Sequence, residues 1–238
     1  MKLAIMQPYF FPYIGYFQLM KAVDKWIIFD DIQYIRHGWV NRNRILSPNL
    51  NKEWQYIVIP LDKYCKEDTI NKIKITSNHH WKEDIIGKLS YYRKIRAPHY
   101  HKVIDLVQRC FDNDVTSLLE LNIITLKHIA DYLDIKFEYS ISSKEQFDYT
   151  NVIGPGDWAL EISKQMNASL YINPIGGQEI FNRDKFAYSG INIKFIESNF
   201  IKYKQSRREY VPWLSIIDLM MFNSIDTIRK MLSLYKLF

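Results

Sequence analysis

Cysteine is scarce: Cys65 and Cys110 stand far apart in a chain of 238 residues. That excludes a disulfide-rich scaffold, and no zinc-ligand spacing or other metal motif is present. Two free thiols in a reducing compartment are expected. Glycine and proline number only 8 each, which excludes collagen-like and low-complexity architectures. No apolar run approaches the roughly 20 residues of a membrane-spanning helix. Gln7, Pro8 and Pro12 interrupt the apolar start, so it lacks the shape of a signal peptide, and a soluble cytoplasmic protein is expected. There is no block of one charge. The net charge of +6 is spread along the chain, and the densest basic stretch, residues 36–44, is interleaved with Trp39, Asn41 and Asn43. This mild excess favours anionic partners such as nucleotides, nucleotide sugars, RNA or an anionic membrane surface without demanding any of them.

Apolar residues and aromatic rings are plentiful. Hydrophobic residues make up 47%, enough for one sizeable core. Tyrosine, with 17 copies, combines an apolar body with a polar tip and suits either a core surface or a polar cleft. The pattern opens as a strand over 2–6, a proline-bounded turn, a helix from about residue 14 and a second strand over 25–29. That spacing predicts a parallel βαβ unit. Residues 32–45 read as irregular or hairpin-like, and 53–60 and 69–76 as strands. Helices are expected over 78–93, 100–112 and 115–133. The last third alternates again: strands over 136–140, 169–172 and 192–196, and helices over 155–166, 179–188, 212–222 and 225–234. The expected fold is α/β. Its Rossmann-like sheet is mainly parallel with helices on both faces, joined by an antiparallel insertion and C-terminal helices. One domain over 1–238 is expected, with a helical subdomain around 78–134.

Polar groups gather where apolar runs end. Gly15 opens a helix after the first strand, where glycine lets phosphate approach the helix N-terminus; an ordinary strand-to-helix turn is the plainer reading. Asp30 and Asp31 close the second strand, suited to a sugar hydroxyl, an amine or a hydrated cation, or simply to a turn. Arg42 and Arg44 are spaced to share one side of an extended segment, with Asn41 and Asn43 on the other. Arginine suits bidentate phosphate binding, asparagine offers both donor and acceptor, and His37 is a candidate general base. A solvated basic hairpin is the plainer alternative. His79 and His80 begin a helix, where capping competes with acid–base chemistry. Tyr203 and Gln205 are candidates to reach a cleft from a sheet edge. Ser215 and Asp218 have the spacing of a helix cap.

Several stretches, in order along the chain, resemble the WbqC-like family of bacterial proteins: QPYFFPYIGYF at 7–17, FDDIQYIRHGWVNRNRI at 29–45, HHW at 79–81, YINP at 171–174, and YKQ with VPWLSIIDLMMF at 203–222. Asn173 departs from the small hydroxyl residue expected before that proline. The resemblance implies a role in O-antigen or other surface-polysaccharide biosynthesis, with glycine transfer to an amino sugar as one activity. It implies a site built from Gln7, Tyr9, Asp30, Asn41, Arg42, Asn43, His79, Tyr203 and Gln205. Within that frame His37, His79 and Asp30 are the expected catalytic groups. Gln7, Tyr9, Gly15, Asn41, Arg42, Asn43, Arg44, Tyr203 and Gln205 are the expected substrate contacts. A nucleotide-linked amino sugar is the expected substrate, with ATP or an aminoacyl-tRNA, and hence tRNA, as source of the acyl group. A non-catalytic sugar-nucleotide scaffold and an adenylate-forming enzyme are the competing readings.

Overall fold

The computed structural model describes residues 1–77, 80–112, 114–199, 201–206 and 209–238. Eight strands and eight α-helices are formed among them. Strands β1 (Lys2–Met6), β2 (Lys25–Ile28), β5 (Tyr139–Ile141), β6 (Leu170–Pro174), β7 (Asn192–Ser198) and β8 (Tyr235–Leu237) make one sheet in the order β5-β2-β1-β6-β7-β8. Every pairing is parallel except β7 with β8, an antiparallel edge. Helix α1 (Ile14–Ala22) connects β1 to β2 on one side, while β6 and β7 lie on the other side of β1. The winding direction therefore reverses between β1 and β6. In open α/β sheets the crevice outside the strand carboxyl ends at such a reversal is where ligands bind.

Both faces of the sheet are covered, which explains the unbroken apolar runs of its strands. Leu3, Ile5, Ile27 and Phe29 face one core with α5 (Asp157–Gln165) and α6 (Arg183–Tyr188). Ala4, Trp26 and Ile28 face the other. That larger core takes in residues of α1, α2 (Trp81–Lys94), α3 (Tyr100–Phe111), α4 (Leu118–Leu133), α7 (Ile216–Phe222) and α8 (Ile225–Met231). The buried faces of α2, α3 and α4 thus share one core with the sheet. Helix α4 starts later than the sequence pattern suggested, because Ser117 caps it by accepting from the Glu120 amide at 3.3 Å.

The insertion is an antiparallel ribbon of β3 (Arg42–Leu46) and β4 (Trp54–Val58). Residues 69–76, expected as a strand, instead make a short 3-10 turn at Ile70–Lys72 and isolated bridges such as Leu61 with Ile75. Their alternating side chains bury Ile70, Ile73 and Ile75 without a continuous partner strand. The chain also ends differently: α8 stops at Met231 and the last residues return as β8. Among the described residues no helix is long and apolar enough to cross a membrane.

Candidate functional site

Residues 7–12 form the connection leaving β1. Pro8 and Pro12 carry no amide hydrogen, so this loop cannot hold itself with a backbone ladder. Its carbonyls are taken up by other elements. Tyr16 Oη donates to Gln7 O at 2.8 Å, Asn122 Nδ2 to Pro8 O at 2.9 Å and Asn43 Nδ2 to Phe10 O at 3.0 Å. Ser215 Oγ donates to Phe11 O at 2.7 Å and the Ile216 amide to Pro12 O at 2.9 Å. Asn122 also donates to Val40 O at 2.7 Å, so one buried amide joins this loop to the one before β3. Buried carbonyls need such partners, and here they fix the loop in place. Phe11 is held at φ 40°, a value bulky side chains seldom adopt.

The loop forms one wall of a cavity of about 350 Å3 at the carboxyl ends of β1 and β6, where Met6 and Pro174 face it. The other walls are the rings of Tyr9, Tyr13, Tyr16, Trp39 and Trp213, together with Asn43 and Arg44. Tyr13 lies so close over Gly15 that a Cβ there would come within 2.4 Å of its ring. The glycine thus admits an aromatic ring over the start of α1. Tyr13 in turn meets Trp213 edge-on, centroids 6.0 Å apart, and Trp213 holds φ 59°. Burial raises the phenol pKa values of Tyr9, Tyr13 and Tyr16. The Arg44 guanidinium lies over Trp39 at 5.0 Å and Trp54 at 5.2 Å, and its buried Nε has no hydrogen-bond partner among the described residues. A guanidinium stacked on rings keeps its in-plane donors available for an anion.

Of the residues anticipated from sequence, Tyr9, Asn43 and Arg44 stand in this wall. Gln7 follows the end of β1, and Gly15 lies behind Tyr13. The others have different surroundings. Asp30 is fully buried; its carboxylate accepts from Ser142 Oγ at 2.9 Å, the Ser143 amide at 3.0 Å and Ser143 Oγ at 2.7 Å. His37 is exposed on a turn at φ 66°. Arg42 packs on Tyr56 at 4.2 Å and donates to the carbonyls of Gly38 and His37. Asn41 accepts from Tyr34 Oη at 2.8 Å and donates to Ile59 O at 2.9 Å. His79 lies outside the described residues.

The profile of the WbqC-like protein family matches residues 7–230. The chain belongs to this family. The "Uncharacterized protein Rv1507c" of Mycobacterium tuberculosis is 27% identical over 228 residues, covering 92% of each chain. No solved structure matched.

In this WbqC-like protein Tyr203 and Gln205 serve a buried acid. Asp218 accepts from Tyr203 Oη at 2.5 Å, Tyr92 Oη at 2.6 Å and Gln205 Nε2 at 2.9 Å. Desolvation outweighs these three donors and pushes its pKa up to about 6. Tyr92 also accepts from the Leu46 amide at 3.1 Å, and Gln205 bonds both the amide and the carbonyl of Val211. The network joins β3, α2, α7 and the segment leading to Trp213. Ser215 does cap α7, accepting from the Ile217 amide at 3.2 Å, but Asp218 turns to the tyrosines instead of back to the cap. Asn122, Tyr13, Trp39, Trp213 and the role of Asp218 escaped sequence reasoning. The one local signal was the recurrence of rings at 9, 13 and 16; the rest converge only through tertiary packing.

Proposed function

We propose that this chain is a transferase of surface-polysaccharide biosynthesis that adds a glycyl or other acyl group to the amine of a nucleotide-linked amino-dideoxy sugar. The observation that carries the reading is the cavity at the reversal of the sheet, with aromatic walls for a base or sugar ring and Arg44 for a phosphate. A second cavity of about 550 Å3 opens over Phe29, Trp158, Tyr171 and Phe181, but among the described residues no charged side chain lines it, so it suits a phosphorylated ligand less well.

In the reaction the sugar amine attacks the carbonyl carbon of an activated acyl group. Once the ammonium has given a proton to water, the new C–N bond forms, the C–O bond to the adenylate or to the tRNA ribose breaks, the leaving oxygen keeps the electron pair, and the second amine proton passes to solvent. ATP would serve to activate the free acid; charged tRNA would deliver the acyl group ready-made. Incubation with an amino-sugar nucleotide, glycine, and either ATP or glycyl-tRNA tests the reading. A mass gain of one glycyl group is expected, and no gain with any donor rejects it.

A second reading has its own support. The described wall of this cavity contains no histidine, aspartate or cysteine. A sugar-nucleotide binding protein that presents its ligand to other enzymes needs none. Tight binding without turnover supports that alternative.

A further inference from the structure

Among the described residues Arg44 is the one charged side chain lining the cavity just described. A neighbouring cavity of about 550 Å3 shares Tyr13, Pro174 and Trp213 with it and continues along the carboxyl ends of β6 and β7. Its chemistry is different. Glu197, Ser198 and Asn199 line it, with the backbone of Gly176 opposite. Among the described residues Glu197 supplies the one carboxylate in the walls of these two adjacent cavities. It is exposed and accepts no hydrogen bond among the described residues; Lys236 stands opposite it in the register of β7 with β8. The crevice therefore has a guanidinium in its aromatic part and a carboxylate in its polar part.

A ligand that matches both carries an anion and a cation on one molecule, joined by a ring that presents hydroxyls. From this, and resting on the sugar-nucleotide reading above, we infer that the polar arm is the amino-sugar subsite. Glu197 pairs with the free ammonium of the sugar, and Ser198 and Asn199 hydrogen-bond its hydroxyls. The arm thus selects a substrate whose amine is not yet acylated. The same pairing disfavours the product: once an amide has formed, the positive charge is gone and the carboxylate is left facing a neutral group.

Titration calorimetry on the full chain tests this with three probes: UDP, a UDP-linked 4-amino-4,6-dideoxyhexose and its N-acetylated counterpart. The free amine should bind about fivefold more tightly than the N-acetyl form, as an exposed, charge-assisted contact allows. Glu197→Gln, an isosteric change at an exposed position, should erase that preference and leave UDP affinity unchanged. Gly176→Phe, at a position where an added Cβ meets nothing within 4 Å, should block both sugars and spare UDP. Lys236→Met should keep the preference. Equal binding of the two sugars, or a preference that survives Glu197→Gln, overturns the ammonium assignment while leaving the nucleotide reading in place. Failure of UDP and both sugars to bind overturns both.

Discussion

The guanidinium of Arg44 is flanked by Trp39 and Trp54, and its Nε is buried without a partner. Arg42, two residues earlier on the same ribbon, is already engaged by the carbonyls of Gly38 and His37. The two arginines looked equivalent by spacing, and only their tertiary neighbours distinguish them. Arg44→Ala should weaken nucleotide-sugar binding by about 10- to 100-fold, the value of a charge-assisted hydrogen bond, while Arg42→Ala should change it less than about threefold. Calorimetry on the two variants checks this, and equal losses would contradict it. Gly15 gives a second residue-level expectation. A methyl group there displaces the Tyr13 ring, which is the far end of a mobile side chain. Gly15→Ala should therefore reshape the cavity and weaken binding while costing less than about 1 kcal/mol of stability in urea unfolding.

At the scale of elements, two polar clamps hold the crevice. Asn122 on α4 holds the carbonyls of Pro8 and Val40 together. Asn122→Ala leaves both without that partner and should cost about 2–4 kcal/mol, measured by urea unfolding, with ligand affinity falling too. Asp218 joins α7 to β3 and α2. Its pKa in the folded chain is about 6 against an ordinary 3.8, so the folded state holds the proton more tightly. Its contribution to stability is complete below about pH 4 and is lost as pH rises through about 6, a change of roughly 3 kcal/mol. Asp218→Asn should thus destabilise the protein more at pH 4 than at pH 7, and a pH-independent difference would contradict the assignment. The elements themselves were largely legible. Alternating apolar runs and the proline-bounded turn predicted the βαβ start and the parallel sheet. Residues 69–76 misled because alternation reports a half-buried extended chain, not the presence of a neighbour to pair with.

Across the whole molecule, the reversal between β1 and β6 determines where loops from distant parts of the sequence meet. Tyr9, Trp39 with Arg44, Pro174 and Trp213 come together there from four separate stretches of sequence. Sequence could flag Asn43 and Arg44, from the pattern of an extended polar stretch, and Tyr9, through the family resemblance. It could not separate them from Asp30, which also ends a strand but spends its oxygens on Ser142 and Ser143. Nor could it anticipate Trp213, whose part in the wall depends on the hold that Gln205 keeps on Val211 and Asp218. The account rests on a ligand occupying the crevice at that reversal. A crystal structure of the protein with a UDP-linked amino sugar measures this most directly. The account predicts the diphosphate against Arg44, with a ring of the ligand among Tyr9, Tyr13 and Trp213. A ligand seated over Phe29 and Trp158, or on the outer face of the β3–β4 ribbon, would contradict it.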